Sequence, residues 1–335
     1  MRVYAHFARR LVSTMSNPTV NFASSDGRFH RQVSSFRDVI AKGTKFEPEL
    51  GRYHLIVALA CPWAHRTLIV RKLKGIDKVD GLLPVTVVDS FLGPEGWSFV
   101  PYDNDRPHVP GTGNQIPGEE GKKRIREFYL AADPQYSARA TVPVIWDNKL
   151  KTIVNNESSE IIRFIDTCFD DFLPQEVRGI TYYPEELRAE IDRMNDLVYP
   201  NVNNGVYKAG FATKTEAYEE NIGPLFDTLH KLDAHLAQRD FLVGDRLTEA
   251  DIRLYTTLVR FDPVYFCHFK CNAKMIRDPS LAYLHRWLRR MYWTNDAFQS
   301  TTNFESIKAH YYGSHANINP TGIVPVGPLP HILPL

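Results

Sequence analysis

Between residues 53 and 169 short apolar stretches of strand character alternate with stretches of helical spacing, and beyond Pro174 helical spacing alone remains. This switch constrains the fold more than any other feature of the chain. Strands separated by helices pair in parallel, whereas helices with no strands between them must bury their apolar stripes in a bundle. Residues 53–60 predict a buried strand, 63–74 a helix closed by Gly75, and 82–88 a second strand. A helix around 122–131, a strand over 142–146, a short partner strand over 151–154 and a helix over 158–169 follow. Asp147-Asn148 suits a tight hairpin turn between the last two strands.

That order is the layout of an α/β thioredoxin-like domain, a small mixed sheet with helices on its faces. Apolar residues at helical spacing over 185–197, 214–238, 249–261 and 281–292 predict an all-α C-terminal domain. One of these helices opens on Thr248-Glu249-Ala250-Asp251, a capping box in which Asp251 reaches back to the Thr248 amide. The expected organisation is an N-terminal arm over 1–46, the thioredoxin-like domain over 47–172, the helical domain over 183–312 and a tail over 313–335, dense in Pro and Gly, that wraps the surface. Within the first domain, residues 90–121 form an inserted loop of a length that is usually functional or disordered.

At 335 residues the chain has room for two domains, and 40 basic against 39 acidic side chains give no electrostatic reason to expect a nucleic-acid or membrane partner. The four cysteines, Cys61, Cys168, Cys267 and Cys271, are too sparse for a secreted disulfide framework and predict a reducing compartment such as the cytoplasm. The first twenty-five residues hold Arg2, Arg9 and Arg10 and no acidic residue, the composition of a mitochondrial transit peptide or of a basic leader. Cys267-His268-Phe269-Lys270-Cys271 has a superficial zinc spacing, but no second ligand pair stands at finger-like distance, so no metal is expected. Cys168, Cys267 and Cys271 read as structural thiols.

Cys61 sits where the strand over 53–60 hands over to the next helix. The unpaired amides and positive dipole end of a helix favour an ionised thiol. Position 64, where a dithiol enzyme would carry its second cysteine, is alanine, so Cys61 reads as a monothiol nucleophile that borrows its second sulfur. Thr141-Val142-Pro143 offers a strand-opening proline beside backbone suited to an extended peptide. Glu157-Ser158-Ser159-Glu160 opens a helix whose amides suit a carboxylate while Glu157 suits an ammonium, although plain capping explains the same residues. Together these parts suit a small zwitterionic peptide thiol. His65, one turn into the helix, is expected to point away from Cys61 rather than serve as its base.

Four spaced motifs carry a resemblance. Cys61-Pro62-Trp63-Ala64-His65-Arg66 is the first, and Asn203-Asn204-Gly205-Val206-Tyr207-Lys208-Ala209-Gly210-Phe211-Ala212 the second. The others are Thr257-Leu258-Val259-Arg260-Phe261-Asp262-Pro263-Val264-Tyr265, and His310-Tyr311-Tyr312 with Ile318-Asn319-Pro320. Over about 46–328 the chain resembles the glutathionyl-hydroquinone reductases, the Xi class of the glutathione transferase superfamily. The resemblance implies glutathione as co-substrate, a homodimer, and a Cys61 that takes glutathione from a glutathionyl-hydroquinone before a second glutathione releases it. It further implies that Trp97, Arg139, Val142, Glu157 and Ser158 bind the peptide. Tyr207 would act as the acid and Tyr265 and Tyr311 as donors in a quinone pocket, with Tyr312 a neighbour that could take the place of Tyr311. An omega-type thioltransferase or dehydroascorbate reductase would share Cys61 without the tyrosines, and a non-catalytic interaction module would need neither.

Overall fold

The computed structural model describes residues 22–335. Strand β1 (Tyr53–Val57) is buried at every residue because it lies inside a four-stranded sheet. It pairs in parallel with β2 (Val85–Val87), Leu55 opposite Val85, and antiparallel with β3 (Val144–Asp147), Tyr53 opposite Asp147. Strand β4 (Thr152–Asn155) completes the order β2-β1-β3-β4. Helices α1 (Pro62–Leu73), α2 (Ile125–Ala132) and α3 (Ser158–Ile165) complete the thioredoxin-like layout. Strand β1 ends before the expected residue 60, because the chain turns there, with the Cys61 amide donating to the Ala58 carbonyl at 3.0 Å.

Asp147 and Asn148 do not make a tight turn. The connection runs over 148–151 with Lys151 at φ 52°, and the buried Asp147 carboxylate organises it by accepting from the amides of Lys149 at 2.8 Å and Leu150 at 3.1 Å. An Asx-type side chain that bonds onward backbone favours this longer loop. The edge of β4 is covered: Asp38 N donates to Val154 O and Asn156 N to Phe36 O, each at 3.1 Å. The arm thus pairs an edge that would otherwise be open. The basic leader expected over the first twenty-five residues falls mostly on 1–21, outside the described residues.

The second half holds α4 (Arg188–Val198), α5 (Gly205–Gly210), α6 (Thr215–His235), α7 (Glu249–Leu258), α8 (Ala282–Thr294), α9 (Asp296–Gln299) and α10 (Phe304–Ser314). The Thr248 capping box is present, with the Thr248 amide donating to Asp251 at 3.1 Å. Two single π-type turns, Tyr199–Asn203 and Phe261–Tyr265, follow α4 and α7. Each contains a proline, Pro200 or Pro263, which has no amide to continue the ordinary ladder. The backbone widens instead, Asn204 N reaching Tyr199 O at 2.9 Å and Phe266 N reaching Phe261 O at 2.8 Å. Helix α10 runs through the residue at which the tail was expected to begin, and only then does irregular chain follow. Among the described residues no helix is long and apolar enough to cross a membrane.

Candidate active site

Cys61 is the N-cap of α1, in extended conformation, and Pro62 takes the first helical position, where a missing amide costs nothing. The thiol donates to the Val142 carbonyl at 3.6 Å, and the Val142–Pro143 peptide bond is cis. Burial pushes the thiol above its ordinary value, while the amides of Ala64 and Trp63 and the charges of Arg260 and Arg31 pull it down. The helix end acts in the expected direction, but desolvation outweighs it. His65 is not a base for this thiol. Its Nδ1 accepts from Arg260 Nη1 at 3.0 Å, which leaves Nε2 to donate to Thr301 Oγ1 at 2.9 Å, and burial followed by the Arg260 charge keeps the ring neutral.

A cavity of about 610 Å³ opens above Cys61 between the sheet domain and the helices. Seven of the nine residues nominated from sequence line it: Cys61, Trp97, Arg139, Val142, Ser158, Tyr207 and Tyr311. Tyr265 stands one layer behind, its hydroxyl 3.0 Å from that of Tyr311, which in turn lies 2.5 Å from the Tyr207 hydroxyl. Tyr312 points elsewhere, donating to the Pro263 carbonyl at 3.2 Å. Burial, and then the neighbouring thiol, push the Tyr207 phenol up to about 12, and burial holds Tyr265 and Tyr311 far above their ordinary value. All three phenols are therefore proton-bearing near neutral pH.

The Glu157 carboxylate is engaged by donors of the chain itself. It caps α3 by accepting from Ser159 N at 3.2 Å and Ser159 Oγ at 3.0 Å, and it accepts from Ser34 Oγ at 3.0 Å. Burial works against that charge, but the Ser159 amide, Arg31 and Ser34 keep it below the usual carboxylate range. Because Glu157 does the capping, the buried Ser158 hydroxyl has no partner and is left to the cavity. Trp97 is held in place by His310, whose ring stacks on it at 4.8 Å while Nδ1 donates to the Ser90 carbonyl at 2.9 Å.

Residues 60–168 and 215–290 match the family models for the glutathione S-transferase N-terminal and C-terminal domains. Glutathione S-transferase omega-like 2 of Schizosaccharomyces pombe is 50% identical, over 95% of this chain and 99% of that protein. The glutathionyl-hydroquinone reductase PcpF of Sphingobium chlorophenolicum is 50% identical over 91% of each. The Xi glutathione transferase ECM4 of Saccharomyces cerevisiae, solved in complex with glutathione, superposes with a TM-score of 0.85 at 44% identity, covering 91% of this chain and 100% of that one. The chain belongs to the Xi class of glutathione transferases.

In this Xi-class chain the arm is part of the site, which the sequence reading missed. Phe22, Phe29, Arg31, Gln32 and Ser34 line the cavity. Phe22 stacks on Phe211 at 4.6 Å, and the Arg31 guanidinium lies 3.8 Å from the centre of the Trp63 ring. The available signal was three phenylalanines, Phe22, Phe29 and Phe36, seven residues apart in a stretch otherwise mainly polar. His315 also lines the cavity, and its Nδ1 stands 3.0 Å from His268 Nε2, so His268 faces a histidine rather than Cys267 or Cys271. Cys267 is exposed and Cys271 buried.

Proposed function

We propose that this glutathione transferase reduces glutathionyl-hydroquinones to hydroquinones. The Cys61 thiolate attacks the glutathione sulfur of the conjugate, an S–S bond forms, and the bond from sulfur to the ring breaks with its electron pair on the ring carbon. Tyr207 supplies the proton to that carbon, so the ring is reduced by two electrons while sulfur is oxidised. The thiolate of a second glutathione attacks the mixed disulfide, releases glutathione disulfide and restores Cys61. Trp97, Val142, Ser158 and Arg139 hold the peptide, and Tyr265 steadies Tyr311. What supports this reading is one observation: Cys61 and the Tyr207–Tyr311 phenol pair line the same cavity.

The test is glutathione-dependent release of a model hydroquinone from its glutathione conjugate, run beside intact-mass measurement after exposure to glutathione disulfide. The expected result is steady turnover and one glutathione on the wild-type chain, with neither on Cys61→Ala. An adduct without hydroquinone release would leave only a thioltransferase of the omega type, and no adduct would remove enzyme action at Cys61 altogether. A homodimer acting in the cytoplasm accompanies the proposal, to be checked by light scattering and by fractionation.

A further inference from the structure

Arg260 stands two residues after the end of α7, past its C-cap Val259, and is wholly buried. Its Nε donates to the Ala60 carbonyl at 2.9 Å and Nη2 to the Leu59 carbonyl at 3.1 Å, the two residues before Cys61. Nη1 donates to the Thr256 carbonyl at 2.7 Å and to His65 Nδ1 at 3.0 Å. All four acceptors are neutral, and none of its partners is a carboxylate. Two other buried arginines are neutralised, Arg52 by Asp147 at 2.6 Å and Arg253 by Glu249 at 3.0 Å, whereas Arg66 on α1 also lacks a carboxylate and donates to Asn203 Oδ1 at 3.0 Å. A buried cation with no counter-ion is costly to hold, and Arg260 differs from Arg66 in that its fork grips the two carbonyls that precede Cys61, beside a sulfur that can become an anion.

We propose that Arg260 is the positioning residue of the Cys61 turn and the fixed counter-charge of the Cys61 sulfur once it is an anion. This rests on Cys61 being the nucleophile. The guanidinium fork ties down the Leu59 and Ala60 carbonyls, and the turn so fixed points the amides of Trp63 and Ala64 at the sulfur. The charged and titratable groups around the sulfur come from the arm, α1, α5, the turn after α7 and α10. Arg31 on the arm is exposed and screened by solvent, whereas Arg260 is walled in and acts at low dielectric. Tyr207 on α5 and Tyr311 and His310 on α10 are neutral, His310 being pushed down to about 4 by burial. His65 on α1 is neutral as well. Arg66 on α1, another buried cation, is turned to Asn203 and the Trp63 ring, so Arg260 is the buried positive charge joined to the Cys61 turn.

The test follows alkylation of Cys61 by iodoacetamide against pH on the full chain, with the modified peptide identified by mass. Arg260→Gln should move the profile to higher pH and slow alkylation at neutral pH about tenfold, since one unit of thiol pKa is a tenfold change in thiolate. Arg260→Lys, which keeps the charge, should recover most of that loss. Thr256 lies one turn before Arg260 on the same face, so Thr256→Asp can pair with the guanidinium and cancel its field without removing its hydrogen bonds, with Thr256→Asn as the control of equal size. The Asp variant should alkylate several-fold more slowly than the Asn variant. A folded Arg260→Gln with the wild-type profile overturns the proposal, as do equal rates for the two Thr256 variants should Arg260→Gln not fold. Cys61→Ala keeps the two ideas apart: a fully active Cys61→Ala removes the nucleophile itself, whereas an inactive Cys61→Ala beside an unchanged Arg260→Gln profile removes Arg260 alone.

Discussion

The two walls of the cavity are built from different material. On the sheet side much of the lining is backbone and short side chains set by local structure, the N-terminus of α1, the Val142 carbonyl and the N-terminus of α3, with Trp97 and Arg139 beside them. On the helical side Tyr207, Phe211 and Tyr311 face the cavity and Tyr265 and Phe269 pack behind them, rings brought together from three separate segments. A backbone wall recognises what every glutathione conjugate shares. An aromatic wall with hydroxyls can tell one conjugated ring from another, so damage to the two walls should be separable by substrate.

The largest effect belongs to the aromatic wall. Tyr207→Phe removes the proposed proton donor to the ring carbon and should lower hydroquinone release by about 10²-fold or more, the usual size of general-acid catalysis. Reduction of a glutathione mixed disulfide, which needs no ring protonation, should fall far less. Paired assays on the same preparation check this, and equal losses in both would break the division between the walls. The pH profile gives a companion result. With the phenol pushed up to about 12, it remains protonated as pH rises from 6 to 10, so hydroquinone release should climb with the thiolate fraction and show no alkaline fall in that range. A descending limb near pH 9 would remove Tyr207 as the acid.

Gly210→Ala attacks the same wall through packing. A Cβ at Gly210 would lie 2.1 Å from the Phe269 ring, which stacks on Tyr265 at 5.4 Å and 10°. Overpacking of this kind costs about 1–3 kcal/mol, so thermal unfolding should shift down and hydroquinone release should weaken more than disulfide reduction. On the sheet side, Ser158→Ala removes a buried hydroxyl with no partner in the unliganded chain. The melting temperature should hold or rise, while KM for glutathione increases roughly tenfold with both substrates, the effect of about 1.4 kcal/mol.

What could be read from the chain follows the same division. Cys61 and the helix start at Ser158 announce themselves because a strand-to-helix junction and a cap are local patterns a few residues long. Even there the local pattern leaves open which residue caps: Glu157 does so, held also by Ser34, 123 residues away, while Ser158 lines the cavity. The tyrosines are selected from the 16 in the chain by motif resemblance alone, because their shared hydrogen bonds join positions 207, 265 and 311. Helix α10 escapes periodicity because nearly all of its length is buried, leaving no polar stripe to mark a face. Arg260 escapes for another reason: nothing in its own neighbourhood says that its partners are the carbonyls two hundred residues earlier.

The smallest effect should come from the arm, which closes the sheet-side wall without belonging to it. Gln32 clamps the backbone of Arg139, its Oε1 accepting from Arg139 N at 2.9 Å and its Nε2 donating to Arg139 O at 3.4 Å and to Tyr136 OH at 3.2 Å. These are neutral bonds at a partly exposed side chain, so together they contribute about 1 kcal/mol. Gln32→Ala should therefore raise KM for glutathione about fivefold, with kcat changed little, because it loosens the loop that carries Arg139 and leaves the α1 turn intact. The effect should be equal for conjugate and disulfide substrates, since the clamp acts where the shared peptide lies. If Gln32→Ala instead impaired hydroquinone release alone, the arm would belong with the rings it touches through Phe22 and Phe29, and the boundary between the two walls would have to be redrawn through the arm itself.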